Sequence, residues 1–320
     1  MNPTIPAASS TSLRNSGRWA ASRVHWEYLG PIAVVHLLAL LAFVPWCFSW
    51  SGVAVMILFI NVFGTLGINL CYHRLLAHRS LTVPRWLERT LATIALCSLE
   101  DTPARWVATH RLHHVHSDEK PDPHSPRDGI GWSHVGWLFT RADGRRSFSF
   151  FEKYSRDILA DDYYRYLERH PTAILWIYAT HAAVISGLGF LVGSVAGGDW
   201  GAGRQLAVSW LVWGVFVRTV LVWHITWSVN SLTHLFGYRT YSTGEDSRNN
   251  WLVALLANGE GWHNNHHHDP ASASVQHRWW ELDVTYYIIL ALEKCGLATN
   301  VIRPRHARRR PETPAAAGSF

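Results

Sequence analysis

Charged side chains are scarce in this chain: only 16% of its 320 residues are Asp, Glu, Lys or Arg, while 48% are hydrophobic. The basic residues that give the formal charge of +6 gather in the tails and between hydrophobic runs. They form no patterned basic face, which argues against a nucleic-acid partner and suits a membrane surface. The four cysteines are far apart and form no CxxC or disulfide framework, which predicts a reduced compartment. The N-terminus has no apolar core, so we expect no cleavable secretory signal.

Long apolar runs are what the chain has instead. Crossing a bilayer takes about 20 mostly apolar residues, and four runs come close, at 31–50, 52–72, 172–198 and 205–230. The alternative is a set of soluble core helices, but uncharged runs of this length in two close pairs argue against it. A fifth run, Leu91 to Leu99, is too short to cross and predicts an interfacial or buried helix.

The distribution of Lys and Arg predicts the orientation. The turns at 50–52 and 199–204 hold one basic residue, whereas the N-terminus, the 73–171 segment and the C-terminus hold most of the others. We therefore expect both termini and the middle segment in the cytoplasm. Arg218 lies within the fourth run, which leaves two interpretations: a functional charge in the bilayer, or a side chain that snorkels or pairs near the cytoplasmic third of a helix extending past the bilayer.

Histidines concentrate in three stretches, "HRLLAH" at 73–78, "HRLHH" at 110–114 and "HNNHH" at 263–267. The second and third place histidines at i, i+3 and i+4, so their imidazoles share a helical face. His73 and His78 are i, i+5, and a helix ending between them would let both point inward. "NSLTH" adds Asn230 and His234 where the fourth run ends. Since all of these positions fall on one side of the predicted membrane, they are able to converge there.

So many imidazoles indicate a metal site, because imidazole is a good ligand for Zn, Cu, Fe and Ni. Eight or nine nitrogen ligands exceed the four of a tetrahedral zinc, so two metals are implied. Neither box shows the HExxH of zinc hydrolases. An all-nitrogen pair reached from the membrane favours iron and O₂ chemistry, although spacing alone does not name the element. His116, His124 and His268 lie near the boxes but off the repeated spacing.

With these motifs, the sequence resembles the membrane fatty acid desaturases, specifically the acyl-CoA (stearoyl-CoA type) Δ9 class, from about residue 30 to 300. The resemblance rests on "HRLLAHRS", "RWVATHRLHHVHSD", "DPHSPRDGIGWSHVGWL", "TWSVNSLTHLFGYR", "GEGWHNNHH" and "WWELDVTYYI". It implies an O₂-dependent enzyme with two Fe ions that forms a cis double bond in a saturated acyl chain. The implied metal ligands are His73, His78, His110, His113, His114, His234, His263, His266 and His267, with Asn230 acting through a water. The implied lining of a bent substrate tunnel is Trp106, Thr226 and Trp227, for which ordinary packing is the alternative.

The expected fold is an all-α integral membrane protein, in which four transmembrane helices carry a cytoplasmic helical cap with the dimetal site. Its parts are a flexible tail at 1–27, the desaturase domain at 28–302 and a basic, Pro-rich tail at 303–320. No HPGG-type haem motif is present, so electrons are expected from a separate donor: a ferredoxin, a rubredoxin or a cytochrome b5-like protein with a reductase. The acidic stretch at 117–128 is expected over the substrate mouth.

Three alternatives stay open on the sequence. The acyl carrier could be a lipid instead of CoA, and the same histidine boxes serve hydroxylases and other oxygenases. A metal transporter would need a polar path at mid-bilayer depth. The residues available for one, His36, His181, Arg218 and His224, form no path.

Overall fold

The computed structural model describes residues 24–140 and 147–308. Most of the predicted tail at 1–27 and much of the tail at 303–320 therefore lie outside the described residues. The described part is almost entirely helical, and its only β-structure consists of isolated bridges such as Val24 to Thr140. The predicted all-α fold is confirmed.

Within 24–140 and 147–308, four helices are long and apolar enough to cross a membrane. Their outward side chains are large and apolar, with Phe43, Trp176 and Val195 each more than 70% exposed, as expected for a surface that faces lipid. In chain order we label the four α1, α2, α9 and α10, and their bounds are Trp26–Phe43, Trp50–Ala77, Ala173–Gly197 and Trp200–Leu235.

Two tight hairpins connect these helices, and ordinary end signals explain where each turn falls. The first helix ends at Phe43, earlier than the run at 31–50 suggests, because Pro45 lacks the N–H that a continuing helix needs. Ser49 then caps α2, its hydroxyl accepting from the Gly52 N–H at 2.9 Å. In the second hairpin Gly198 adopts the left-handed conformation that ends α9, and Asp199 caps α10.

The cap consists of α3 (Arg85–Leu96), α4 (Pro103–His116) and shorter helices. Helix α3 contains most of the short apolar run and buries Leu91, Ala92 and Leu96, so that run forms a buried helix face. The shorter helices are α5 (Ile130–His134), α6 (Phe148–Tyr154), α7 (Arg156–Leu159), α8 (Asp162–Arg169), α11 (Trp251–Leu256), α12 (His263–His268), α13 (Val284–Lys294) and α14 (Arg305–Arg308).

Arg218 of α10 is completely buried in protein, so the snorkelling reading is wrong. Its guanidinium donates to the Cys97 carbonyl at 2.9 Å, lies 2.8 Å from His181 Nε2 and sits over the ring of Phe63. One turn further along, the Trp223 indole donates to the Ser98 carbonyl at 2.6 Å. The fourth long helix thus fixes the 97–101 loop between α3 and α4.

The backbone of this loop is strained. Leu99 and Asp101 adopt positive φ angles of 55° and 80°, a conformation that residues other than glycine avoid. Strain of this kind persists only where surrounding contacts determine the backbone. Here the contacts come from α10, and they hold Glu100, the residue between the two, at a defined position.

Candidate metal centre

Nine histidines converge where the ends of α2 and α10 meet α4 and α12. They form two groups in which the ligand-capable nitrogens lie within 4.8 Å of one another. One group contains His73, His78, His110, His114 and His266, and the other contains His113, His234, His263 and His267. All nine predicted histidines are therefore brought together, in two groups, each of which could hold a metal ion.

Each histidine box is divided between the two groups in the same way. In both boxes the i and i+4 histidines stay together, as His110 with His114 and His263 with His267, while the i+3 member crosses to the other group. Helix geometry explains this, because residues four apart differ by only about 40° around the axis, whereas the third differs by about 60° on the opposite side. Each box thus contributes to both sites.

His73 and His78 meet through unusual winding at the end of α2. From Ile60 to Ala77 the helix has the wide π form, whose hydrogen bonds join residues five apart. The His78 N–H donates to the His73 carbonyl at 3.1 Å, and the two rings lie 4.7 Å apart. The helix ends at Ala77, between the two histidines. Because the π winding joins residues five apart, it brings the two rings of this i, i+5 pair together.

The nitrogen spacing fits a bound cation. Ligand atoms held about 2.0–2.1 Å from one metal at tetrahedral or octahedral angles lie about 2.9–3.4 Å apart. In the five-histidine group, Nε2 of His266 lies 3.1 Å from that of His73 and 3.0 Å from that of His114. In the other group, Nε2 of His267 lies 3.0 Å from His263 and 3.4 Å from His113.

Buried carboxylates on the far side of the rings turn these nitrogens inward. His73 Nδ1 contacts Glu260 at 2.9 Å, His113 Nδ1 contacts Asp122 at 3.0 Å, and His234 Nδ1 contacts Asp118 at 2.9 Å. A carboxylate accepts the Nδ1–H proton, which leaves the Nε2 lone pair free for a metal. His234 Nε2 is buried and has no hydrogen-bond partner among the described residues, as expected of a nitrogen that binds an ion.

Burial favours the neutral form of histidine, which is the form that binds metals. Burial, followed by the neighbouring imidazoles, lowers the pKa of six of the nine well below the ordinary value: His78, His110, His114, His263, His266 and His267. The carboxylates stay ionised. Burial alone would raise the pKa of Glu260, but Arg74 and His73 lower it to about 2.

The short helix α12 is held by the polar residues inside its own box. Asn264 accepts from the Thr240 and Tyr241 N–H groups, both at 2.8 Å, and Asn265 donates to Glu281 at 2.8 Å. Before the helix, Gly261 passes so close to Ala254 that a Cβ would lie 2.0 Å from its backbone nitrogen. These contacts explain how six residues hold three histidines in place.

A cavity of about 930 Å³ opens beside the five-histidine group. Its wall includes His110, and the predicted substrate residues Trp106, Thr226 and Trp227 all line it. Asn230, the tenth predicted ligand, lies on the same wall. A cavity of this size and lining is suited to an apolar ligand.

Sequence reasoning missed Glu100, which lines this cavity between two of the predicted substrate residues. Its carboxyl oxygens accept from Thr226 Oγ1 at 3.0 Å and from Trp106 Nε1 at 3.4 Å. The Trp106 ring stacks on His110, with centroids 5.0 Å apart. Burial raises the pKa of Glu100 to about 8, against the two hydrogen bonds, which lower it. An acidic residue in a loop carries no signal in the sequence that would reveal this role.

In the acidic stretch at 117–128, Asp118 and Asp122 are buried behind His234 and His113, whereas His124 lines the cavity. Of the three histidines off the repeated spacing, His124 lies in a further small group with His113 and Asp122, whereas His116 and His268 belong to none of the groups found.

The sequence is similar to those of known proteins over most of its length. Residues 48–298 match the family described as "Fatty acid desaturase". The chain is 43% identical to an sn-1 stearoyl-lipid 9-desaturase of Anabaena variabilis, over 83% of this chain and 90% of that protein. It is 38% identical to Delta-9 acyl-lipid desaturase 2 of Arabidopsis thaliana, over 97% and 94%. An acyl-CoA 5-desaturase of Anemone leveillei is 39% identical, over 86% and 79%.

Proposed function

Because the chain belongs to the fatty acid desaturase family, we propose that it introduces a cis Δ9 double bond into a saturated acyl chain carried by a membrane lipid. It is an oxidoreductase that acts on fatty acids. The observation that carries the proposal is the cavity, which brings an apolar ligand against His110 of a nine-histidine centre. In the described part of the chain, ligand-capable nitrogens and an apolar cavity wall therefore lie side by side.

We assign two Fe ions to the two histidine groups, with Asn230 contributing to one of them through a water. The donor set fits, since its nitrogens are suitably spaced, three of its imidazoles are oriented from behind by carboxylates, and burial favours the neutral form of the other six. Bound iron would supply the reduction of O₂ and the removal of hydrogen from an unactivated methylene. The protein supplies position, because neighbouring methylene groups are chemically alike.

Position is assigned to the residues around Glu100. Trp106 of α4 and Thr226 of α10 both line the cavity and are joined through the Glu100 carboxyl. We infer that an acyl chain bends around this bridge, beside His110. Trp227 adds a buried aromatic wall, stacked 5.8 Å from Trp223. A chain held at this bend would present one pair of carbons to the metals.

The acyl carrier is assigned to the lipid class, although the resemblance favoured acyl-CoA. The relatives of Anabaena and Arabidopsis are named as acting on acyl lipids. The charged residues described along the cavity also argue against the phosphates of CoA. Glu27 and Asp101 line it, and its Arg105 is already paired with Asp101 and Glu168.

We place the termini and the metal centre on the cytoplasmic side, following the distribution of Lys and Arg. On that side the centre is within reach of a soluble electron donor. The donor is a separate protein, of the ferredoxin, rubredoxin or cytochrome b5 type.

The test uses the iron-loaded protein in lipid nanodiscs with O₂ and a chemical reductant. Stearoyl lipid in the disc is compared with stearoyl-CoA added to the solution, and the acyl products are identified by mass spectrometry. We expect loss of two hydrogens at carbons 9 and 10 of the lipid-bound chain, and none in a His267→Ala control. Gain of one oxygen would instead indicate a hydroxylase, and desaturation of stearoyl-CoA alone would overturn the assigned carrier.

A further inference from the structure

The histidine centre is approached from a second side, away from the cavity. A shallow depression of about 450 Å³ reaches His78 and His114, two members of the five-histidine group. We call it the Val115 depression. It is lined by His78, Arg111, His114, Val115, Lys153, Tyr154 and Pro270. The cavity shares none of these residues, so the two openings are separate.

The Val115 depression and the cavity differ in size and in the residues that line them. Val115 directly follows the candidate ligand His114, yet it is 62% exposed. Val115 therefore gives the depression an outward-facing apolar point, one residue from a candidate ligand. The depression is also about half the size of the cavity and lacks its aromatic wall.

Basic residues surround this apolar point. Lys153 is exposed on the wall, and Arg156 is exposed two residues after Tyr154. Arg111 and Arg79 share the single carboxylate of Asp157, which leaves one positive charge uncompensated.

A similar pair of arginines lies beside Pro270. The carboxylate of the preceding residue, Asp269, is shared by Arg305 and Arg308. Exposed Glu152 is the opposing charge beside Lys153, and the surroundings remain positive after it is counted.

We propose that the Val115 depression is the docking surface for a small acidic electron-carrier protein, which delivers electrons to the centre through His78 and His114. This rests on the proposed function. Desaturation reduces one O₂ to two waters with four electrons and four protons. Two of each leave with the two hydrogens of the acyl chain, so two electrons must come from the donor and two protons from solvent.

Charge and size both fit such a partner. Electron-transfer encounters bury little surface, often below about 1,200 Å², and dissociate readily. A small apolar point within a positive field suits them, because complementary charge raises the association rate and fixes the orientation. Entry of O₂ is the competing use of the opening, but an uncharged gas gives no reason for a basic rim.

The test measures donor binding separately from turnover. The probe is an acidic [2Fe–2S] ferredoxin, and its dissociation constant is measured against the full-length protein in nanodiscs. We expect Lys153→Glu with Arg156→Glu to raise that constant roughly tenfold at low ionic strength, and the difference to shrink at high salt as the charges are screened. Val115→Glu should act in the same direction. The matched control is Lys294→Glu, at an exposed lysine outside the depression.

Turnover provides the second measurement. Ferredoxin-driven desaturation should weaken in the same variants, whereas turnover with a chemical reductant should stay at the wild-type rate, because the centre itself is unchanged. Equal ferredoxin affinity in the wild type and the charge-reversed variants would overturn the proposal, and so would loss of chemically driven turnover. A wild-type protein that binds ferredoxin but forms no double bond with either reductant would contradict the proposed function instead.

Discussion

Replacing Glu100 by Gln should remove a descending limb from the pH profile of desaturation. The Glu100 carboxyl bridges Thr226 and Trp106, and burial raises its pKa to about 8. Below that pH the group is neutral and accepts both hydrogen bonds. Above it, a negative charge stands in the cavity where the acyl chain lies, and desolvating that charge opposes substrate binding.

The magnitude follows from the titration. A group with a pKa of about 8 is about 90% protonated at pH 7 and about 10% protonated at pH 9. If only the neutral form is active, the rate falls about tenfold over this interval. Gln keeps an oxygen acceptor but does not ionise, so the Glu100→Gln variant should lose this tenfold fall. Because the active form is the protonated one, activity is present below pH 8 and is lost as the pH rises above 8.

The assay is the rate of double-bond formation in nanodiscs from pH 6.5 to 9.5, with the same chemical reductant throughout. The other titratable side chains that line the cavity are unchanged in the variant, so the comparison isolates Glu100: His25, Glu27, Tyr28, Asp101, Arg105, His110 and His124. Glu100→Ala gives a third profile, flat but low, because it leaves the Thr226 and Trp106 donors without an acceptor, at a cost of about 1–3 kcal/mol. An identical fall in the wild type and the Gln variant would refute the reasoning.

Further predictions concern the metals, the packing and the topology. Alanine should abolish activity and lower the bound iron measured by mass spectrometry at any of four candidate ligands: His110, His114, His263 and His267. The protein should still insert into the membrane. His306→Ala is the matched control and should keep wild-type activity and iron. Gly67→Leu should lower the yield of folded protein by size-exclusion chromatography, because a Cβ there lies 2.7 Å from Ala95 Cα and overpacking costs about 1–3 kcal/mol; Gly64→Ala should be tolerated, since its Cβ meets Val222 at 3.5 Å. Folded Gly67→Leu that only shifts preference to shorter acyl chains would contradict this. A reporter fused at Phe320 should be active on the cytoplasmic side alone, and outward activity would overturn the orientation.

The histidine positions were predictable, but their division between two sites was not. The i, i+3, i+4 spacing places His110, His113 and His114 on one face of a helix whatever the tertiary fold. Which member turns to which site depends on α12, more than 140 residues later in the chain. The pairing of His113 with His267, at 3.4 Å, therefore exists only in the folded protein.

Buried charged residues were the other feature that the sequence did not predict. A carboxylate in an acidic, proline-containing stretch such as 117–128 ordinarily stays in water, yet Asp118 is buried. His234, 116 residues later, and the Asp246 N–H, which donates to the same carboxylate at 2.7 Å, compensate this burial. Arg218 was similar, since its acceptors are backbone carbonyls and an imidazole that the sequence does not mark. Long apolar runs specify helices locally, whereas a buried charge depends on a distant partner.

Helix α10 connects these features, because one row of residues four apart runs along it. Arg218 fixes the strained loop, Thr226 holds Glu100 of that loop, Asn230 lines the cavity and His234 belongs to the centre. At 1.5 Å per residue, Thr226 and His234 are separated by about 12 Å along a continuous helix. In the proposed function, the distance from the bend to the metals would then be set by backbone hydrogen bonds more than by side-chain packing. A rigid spacing of this kind is what a choice between chemically equivalent methylene groups requires, and it would explain why the proposed bend and the proposed ligands share one helix.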